Sequence, residues 1–217
     1  MAVHLTRIYT RTGDAGTTGL SDFSRVSKND PRVLAYADCD EANAAIGVAL
    51  AMGNPSAEIA DVLQRVQNDL FDAGADLSTP VVEDPKYPPL RILQSYIDDL
   101  EVWCDHFTDQ LEPLNSFILP GGSPLSAYLH VARTVTRRAE RTAWAAIEAF
   151  PDNTSPLPAQ YLNRLSDLLF ILSRIANPGG DILWQPGEQR TRAQSDKATG
   201  TTSPESDNPD SDDPDSK

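Results

Sequence analysis

Five long stretches with helical periodicity, separated by short segments rich in proline and glycine, constrain the fold of this 217-residue chain most strongly. The second stretch begins at Ser56 and runs to about Leu77. Its apolar residues recur three and four positions apart, which is typical of an amphipathic helix with one buried face. They are Ile59, Val62, Leu63, Val66, Leu70, Ala73 and Leu77.

Capping residues and helix breakers mark the ends of the other helices. The first is predicted to start with Asp30 as its N-cap and Pro31 as its first helical residue, and to end near Met52, before a Gly-Asn-Pro sequence. The others are predicted over about 90–111, over about 123–150 and over about 159–176. Helices of about 20 residues with short connections favour an all-α, up-down five-helix bundle. We find no alternation of strands and helices, which argues against a dinucleotide-binding sheet.

The remaining sequence divides into a leading loop and a trailing tail. Residues 1–29 contain TRTGDAGTTGLSDFSRVSK, whose glycines and threonines predict a structured loop that forms a single domain with the bundle at 30–187. Residues 188–217 are rich in Ser, Asp, Pro and Thr and are nearly devoid of large apolar side chains. Such a composition cannot offset the entropy of ordering, so we predict a disordered acidic tail.

The charge of the chain limits the classes of partner. The net charge is −14, of which the tail, with eight acidic and four basic residues, carries −4. The acidic body argues against binding to nucleic acid or to an anionic membrane surface, although a local arginine cluster could still hold an anion. The N-terminus lacks an apolar signal core, and no apolar run approaches bilayer length, so we expect a cytoplasmic protein. The two cysteines provide no disulfide framework and no metal spacing.

The fourth helix carries the most distinctive charge pattern, RTVTRRAER. Arg133, Arg137, Glu140 and Arg141 fall on one face, whereas Arg138 lies off that row. A solvated charged surface explains this pattern, and so does a binding site for a polyanion, because guanidinium groups match phosphate oxygens. The helix alone leaves both readings open.

Two other segments carry polar groups that could meet a ligand. The N-terminal glycines would let backbone amides approach a phosphate, but the segment lacks the Gly-Lys-Ser/Thr sequence of a P-loop, and a plain tight turn is an alternative. On the fifth helix, Asn163 and Asp167 are neighbours that either satisfy buried polar groups or face a ligand. The histidines are scattered and none forms a Glu-x-x-His pair, so a di-iron carboxylate site has no support. Hydrolase chemistry has none either, because no nucleophile-elbow context surrounds a serine.

The blocks YTRTGDAGTTGL, DCDEAN, FILPGGSPLSAYLHVARTVTRRAER and YLNRLSDLLFILSR resemble, in order and spacing, the propanediol-utilisation type of ATP:cob(I)alamin adenosyltransferases. The resemblance covers about residues 8–187, and it departs at Ala42, where leucine is usual. It implies a homotrimer with active sites between subunits, which binds ATP with Mg²⁺ and a corrinoid such as cobalamin. The ligands of the Mg²⁺ are not indicated. The implied ATP-binding residues are Thr10, Arg11, Thr12, Gly13, Thr18, Gly19, Lys28, Arg137, Arg138, Ala139, Glu140, Arg141 and Asn163.

The resemblance also implies the roles of four residues in catalysis. Arg137 would grip the triphosphate, Phe117 would lie against the lower face of the corrin ring, and Asp40 would pair with Arg133 across the subunit boundary. The implied reaction is attack by Co(I) on the ribose 5′ carbon of ATP, so the nucleophile belongs to the corrinoid and the protein needs none.

Two rival hypotheses remain from the sequence. One is a bundle that binds a nucleotide to sense or store it, and the other is a helical scaffold whose arginines form only surface pairs. For the enzyme, candidate partners are a reductase that supplies Co(I) and an enzyme that uses adenosylcobalamin.

Overall fold

The computed structural model describes residues 9–85 and 87–187, so the predicted tail lies outside the described residues. Within them the chain forms five helices and one short hairpin. The helices are α1 (Pro31–Gly53), α2 (Ala57–Leu77), α3 (Gln94–Thr108), α4 (Pro124–Ala149) and α5 (Leu157–Ile175). The strands are β1 (Thr17–Gly19) and β2 (Arg25–Ser27). The helical fold class is confirmed.

The predicted caps begin three of the helices. The side chains of Asp30, Ser56 and Ser123 each accept a hydrogen bond from a backbone amide of the first turn of α1, α2 and α4. The helix α3 is shorter than predicted at both ends. Leu93 has no side-chain acceptor to cap it, and residues 109–111 continue only as single turns.

The N-terminal loop contains a hairpin that we did not predict. The strands β1 and β2 are antiparallel, with Thr18 opposite Val26. Threonine and valine favour this extended conformation because they are branched at Cβ. The backbone amide of Ser21 donates to the carbonyl of Ser78 over 3.3 Å, so the hairpin is held against the C-terminal end of α2.

The core brings α1 close to α4. Both helices bury alanines completely, which lets their backbones approach each other. Other contacts join α1 to α2, α4 to α5 and α3 to α5. The buried alanines are Ala35, Ala42 and Ala49 on α1 and Ala132, Ala139, Ala143 and Ala146 on α4.

The chain divides into two compact units after Ile182. The first contains the hairpin and all five helices. Of the second, which begins at Leu183, the structure describes residues 183–187, and the side chains of Leu183 and Trp184 are exposed. No helix within the described residues has the length and apolar character needed to cross a membrane.

Candidate functional site

The three arginines of the predicted row on α4 form no ion pair with a carboxylate among the described residues. Arg137 and Arg141 are exposed, and Arg141 donates to the backbone carbonyl of Arg137 over 3.3 Å. Among the described residues, no carboxylate forms an ion pair with Arg133, Arg137 or Arg141. With three arginines and one carboxylate, Glu140, the row keeps a net positive charge.

Arg133 is the partly buried member of this row. Its Nε is buried and has no hydrogen-bond acceptor among the described residues, and its guanidinium carbon lies 6.0 Å from the ring centroid of Phe170 on α5. Burial lowers the pKa of Arg133, and the nearby charge of Arg137 lowers it further. A buried donor without an acceptor costs free energy, so this position favours the arrival of an anionic partner.

The neighbouring Arg138 has a different environment. Its guanidinium forms ion pairs with Glu41 and, over 3.6 Å, with Asp38, both on α1. Thr142 also donates to Asp38 over 3.0 Å. Ala139 is completely buried and contributes its methyl group to the core. Two of the residues that were predicted to bind ATP thus face α1 or the core.

Glu140 joins the arginine row to α5. The side-chain amide of Asn163 donates to Oε1 of Glu140 over 3.1 Å. Both line a cavity of about 360 Å³ between α3, α4 and α5, together with Trp144. Asp167 instead accepts a hydrogen bond from Arg164 over 3.0 Å, so the predicted neighbours on α5 face different partners.

The residues predicted in the N-terminal loop cluster around the hairpin. The hydroxyls of Thr10 and Thr12 lie 2.9 Å apart. Gly13 packs against Lys28, since a Cβ placed on Gly13 would lie 3.2 Å from the Lys28 Nζ. The backbone of Arg11 has a φ of 61°, a left-handed conformation that is uncommon for residues other than glycine. The remaining two, Thr18 and Gly19, belong to β1.

A cavity of about 620 Å³ lies between the hairpin, α1 and α2. It brings the predicted residues Gly19 and Asp40 together. Asn43 and Phe71 also line it, and 69% of the Phe71 side chain is exposed. The sequence analysis did not single out Phe71, although its position outside the apolar stripe of α2 is a signal that could have indicated a role in binding.

The predicted residues therefore form two groups within the chain. No hydrogen bond or ion pair among the described residues joins the hairpin to the arginine row. Asp40 opens to the cavity beside α2, whereas Arg133 lies against Phe170 on α5. Phe117, in the segment between α3 and α4, is 79% exposed. Within the described residues of one chain, Asp40 and Arg133 form no ion pair with each other.

The sequence model for cobalamin adenosyltransferases matches residues 8–176. This chain belongs to the cobalamin adenosyltransferase family. The corrinoid adenosyltransferase of Mycobacterium tuberculosis is 74% identical over 191 residues, which cover 88% of this chain and 99% of that protein. The corrinoid adenosyltransferase of Bacillus subtilis is 41% identical over 174 residues, which cover 79% of this chain and 86% of that protein.

A solved structure shows the same fold. It is a phenylalanine-to-alanine variant of the PduO-type ATP:corrinoid adenosyltransferase from Lactobacillus reuteri, complexed with cobalamin and ATP. The match has a TM-score of 0.75 and 35% identity, and it covers 83% of this chain and 100% of that chain. The predicted family and the predicted class of enzyme, a transferase, are both confirmed.

Proposed function

We propose that this chain transfers the 5′-deoxyadenosyl group of ATP to Co(I) of a corrinoid, which gives adenosylcobalamin and triphosphate. Co(I) supplies the electron pair of the new cobalt–carbon bond, and the bond between C5′ and the triphosphate oxygen breaks. The triphosphate leaves with that bond's electron pair. The observation that carries this proposal is the row of α4 arginines without acidic partners in the described chain, beside an Arg138 that has two.

The charge that grows on the leaving triphosphate explains why the row is needed. Arg137 and Arg141 are exposed on one face and can donate to several phosphate oxygens at once. Preorganised donors of this kind stabilise the transition state because they need no rearrangement during the reaction. Loss of one such donor typically lowers kcat by roughly 100-fold to 1000-fold. No residue has to accept a proton from the nucleophile, so no general base is required.

Mg²⁺ fits a site that is built from substrate phosphates rather than from protein side chains. The described residues contain no cluster of three or more His, Cys, Asp or Glu that could hold a metal ion. Mg²⁺ commonly keeps several waters and is bound through phosphates with one or two carboxylates. Glu140 is the carboxylate of the arginine row that could approach such an ion. When bound, Mg²⁺ would neutralise part of the triphosphate charge.

The active site is completed between two copies of the chain, in a homotrimer. The hairpin, Lys28 and Asp40 would come from one copy, and the arginine row and Phe117 from the next. Asp40 and Arg133 support this assembly. An aspartate from a second copy would satisfy the buried Nε of Arg133, which has no acceptor among the described residues of its own chain.

The corrinoid would lie between the exposed Phe117 of one copy and the 620 Å³ cavity of the other. An apolar ring against the lower face of the corrin excludes water and an axial ligand from cobalt. A cobalt ion without a lower ligand is easier to reduce to Co(I). Phe117 therefore distinguishes this enzyme from a nucleotide sensor, which has no reason to present an aromatic ring to a corrin.

The test is an anaerobic assay with chemically reduced cobalamin, ATP and Mg²⁺, in which adenosylcobalamin is followed by its absorbance and triphosphate by chromatography. We expect equal amounts of both products from the wild type and a severe loss with Arg137→Ala. Glu58→Gln, which removes an exposed charge on α2, is the control and should leave the rate unchanged. Saturable ATP binding without product would favour a sensor, and no ATP binding would favour a scaffold. The up-down helix arrangement, the single domain formed by 1–29 with 30–187, the cytoplasmic location and the reductase partner stay predictions.

A further inference from the structure

Arg25, on β2, links two distant parts of the N-terminal loop. One terminal nitrogen of its guanidinium donates to the backbone carbonyl of Thr12 over 2.7 Å. The same nitrogen contacts the carbonyl of Thr17 over 3.2 Å and the hydroxyl of Thr17 over 2.6 Å. Arg25 thus fixes the start of the glycine-rich segment against β1.

These contacts decide which backbone groups the loop can offer to an anion. A phosphate accepts hydrogen bonds and is repelled by carbonyl oxygens. The carbonyls of Thr12 and Thr17 are occupied by Arg25, whereas no described residue accepts a hydrogen bond from the amides of Thr12 and Gly13. Lys28 lies directly beside Gly13 and adds a positive charge there.

We propose that Arg25 is a positioning residue of the ATP site. It holds residues 12–17 in the conformation in which the Thr12 and Gly13 amides and the Lys28 ammonium act together on the phosphates. One terminal nitrogen of its guanidinium is committed to the two threonines, so Arg25 acts on the loop and not as a phosphate ligand. This role rests on the proposed function, since it presumes that the loop binds ATP.

The experiment compares Arg25→Gln with Lys28→Gln in the full-length protein. We expect Arg25→Gln to raise the KM for ATP about 10-fold while kcat and the KM for the corrinoid stay within about twofold. It should also speed hydrogen exchange in peptides that cover residues 10–17 in the absence of ATP. Lys28→Gln should raise the KM for ATP without changing that exchange. Arg25→Lys, which retains a donor, should recover part of both effects.

A double-mutant cycle separates positioning from direct contact. Thr17→Val removes one acceptor of Arg25, so its effect on the KM for ATP and that of Arg25→Gln should be less than additive. Additive effects, or a raised KM with unchanged hydrogen exchange, would make Arg25 a direct phosphate ligand and overturn the proposal. An unchanged KM would overturn it as well. If the wild type itself shows no saturable dependence on ATP, the proposed function fails instead.

Discussion

The side-chain amide of Asn163 on α5 donates a hydrogen bond to Oε1 of Glu140 on α4, across 3.1 Å. The contact orients the one carboxylate of the arginine row from a second helix. Asn163→Ala should therefore release Glu140 and raise the KM for ATP roughly 10-fold, with an unchanged melting temperature, since the pair is exposed. Gln94→Ala, in the wall of the same cavity, is the matched control. An equal rise of the KM for ATP in both variants would show that ATP binding depends on the cavity wall and not on this hydrogen bond.

Arg137 and Arg138 are adjacent in sequence but should respond differently to the same substitution. Arg137→Gln should lower kcat by roughly 100-fold, because it removes a donor to the leaving triphosphate. Arg138→Gln breaks the ion pairs to Asp38 and Glu41 and should change ATP kinetics less than about twofold. The substitution should instead lower the free energy of unfolding by about 1 kcal/mol or less, because the side chain of Arg138 is 41% exposed. Steady-state kinetics and urea unfolding measure the two effects, and severe kinetic loss in Arg138→Gln would restore its predicted role in binding ATP.

Phe117 should be expendable for folding and necessary for reactivity. The ring is 79% exposed, so Phe117→Ala removes little packing. We expect an unchanged melting temperature and a turnover at least about 10-fold lower. The spectrum of the bound Co(II) corrinoid with ATP should also lose its four-coordinate signal. Val102→Ala, at another exposed apolar position, provides the control. A variant that keeps the four-coordinate signal would contradict the role of the ring.

We expect the two buried cysteines to lower the free energy of unfolding at high pH. Burial raises the pKa of Cys39 to about 12 and that of Cys104 to about 11. Because the folded-state pKa lies above the ordinary value of 9.0, the stability from each neutral thiol is complete below that value. It is lost as the pH rises towards the folded-state pKa. Urea unfolding near pH 7 and near pH 10 should show a smaller loss for Cys39→Ala than for the wild type. An equal fall in the free energy of unfolding of both proteins would mean that Cys39 does not contribute to the pH dependence.

Local sequence signals predicted the helices because their causes are local. The side chains of Asp30, Ser56 and Ser123 accept hydrogen bonds from backbone amides only two or three residues further along the chain, so these caps could be predicted from the sequence alone. The predicted ends of α3 were wrong because no side chain caps either end of this helix. The strands β1 and β2 are only three residues long, which is too short for a pattern of alternation.

The candidate site was predictable only where it follows helical periodicity. The spacing of Arg133, Arg137 and Arg141 placed them on one face, and the structure agrees. The environment of Arg138 was not predictable, because its partner Glu41 lies 97 residues away in sequence. The role of Arg25 depends in the same way on the folding of the loop around it, which no spacing rule describes.

The Asp40–Arg133 pair tests the central claim, that the active site is completed by two copies of the chain. Asp40→Ala and Arg133→Ala should each abolish most adenosylation alone. Co-expressed in one cell, the two variants should regain activity, because a subunit that retains Asp40 can meet one that retains Arg133. Random assembly of a homotrimer restores about one quarter of the sites. We therefore expect roughly a quarter of wild-type adenosylcobalamin formation from the purified mixed trimers, and an inactive mixture would contradict a site shared between subunits.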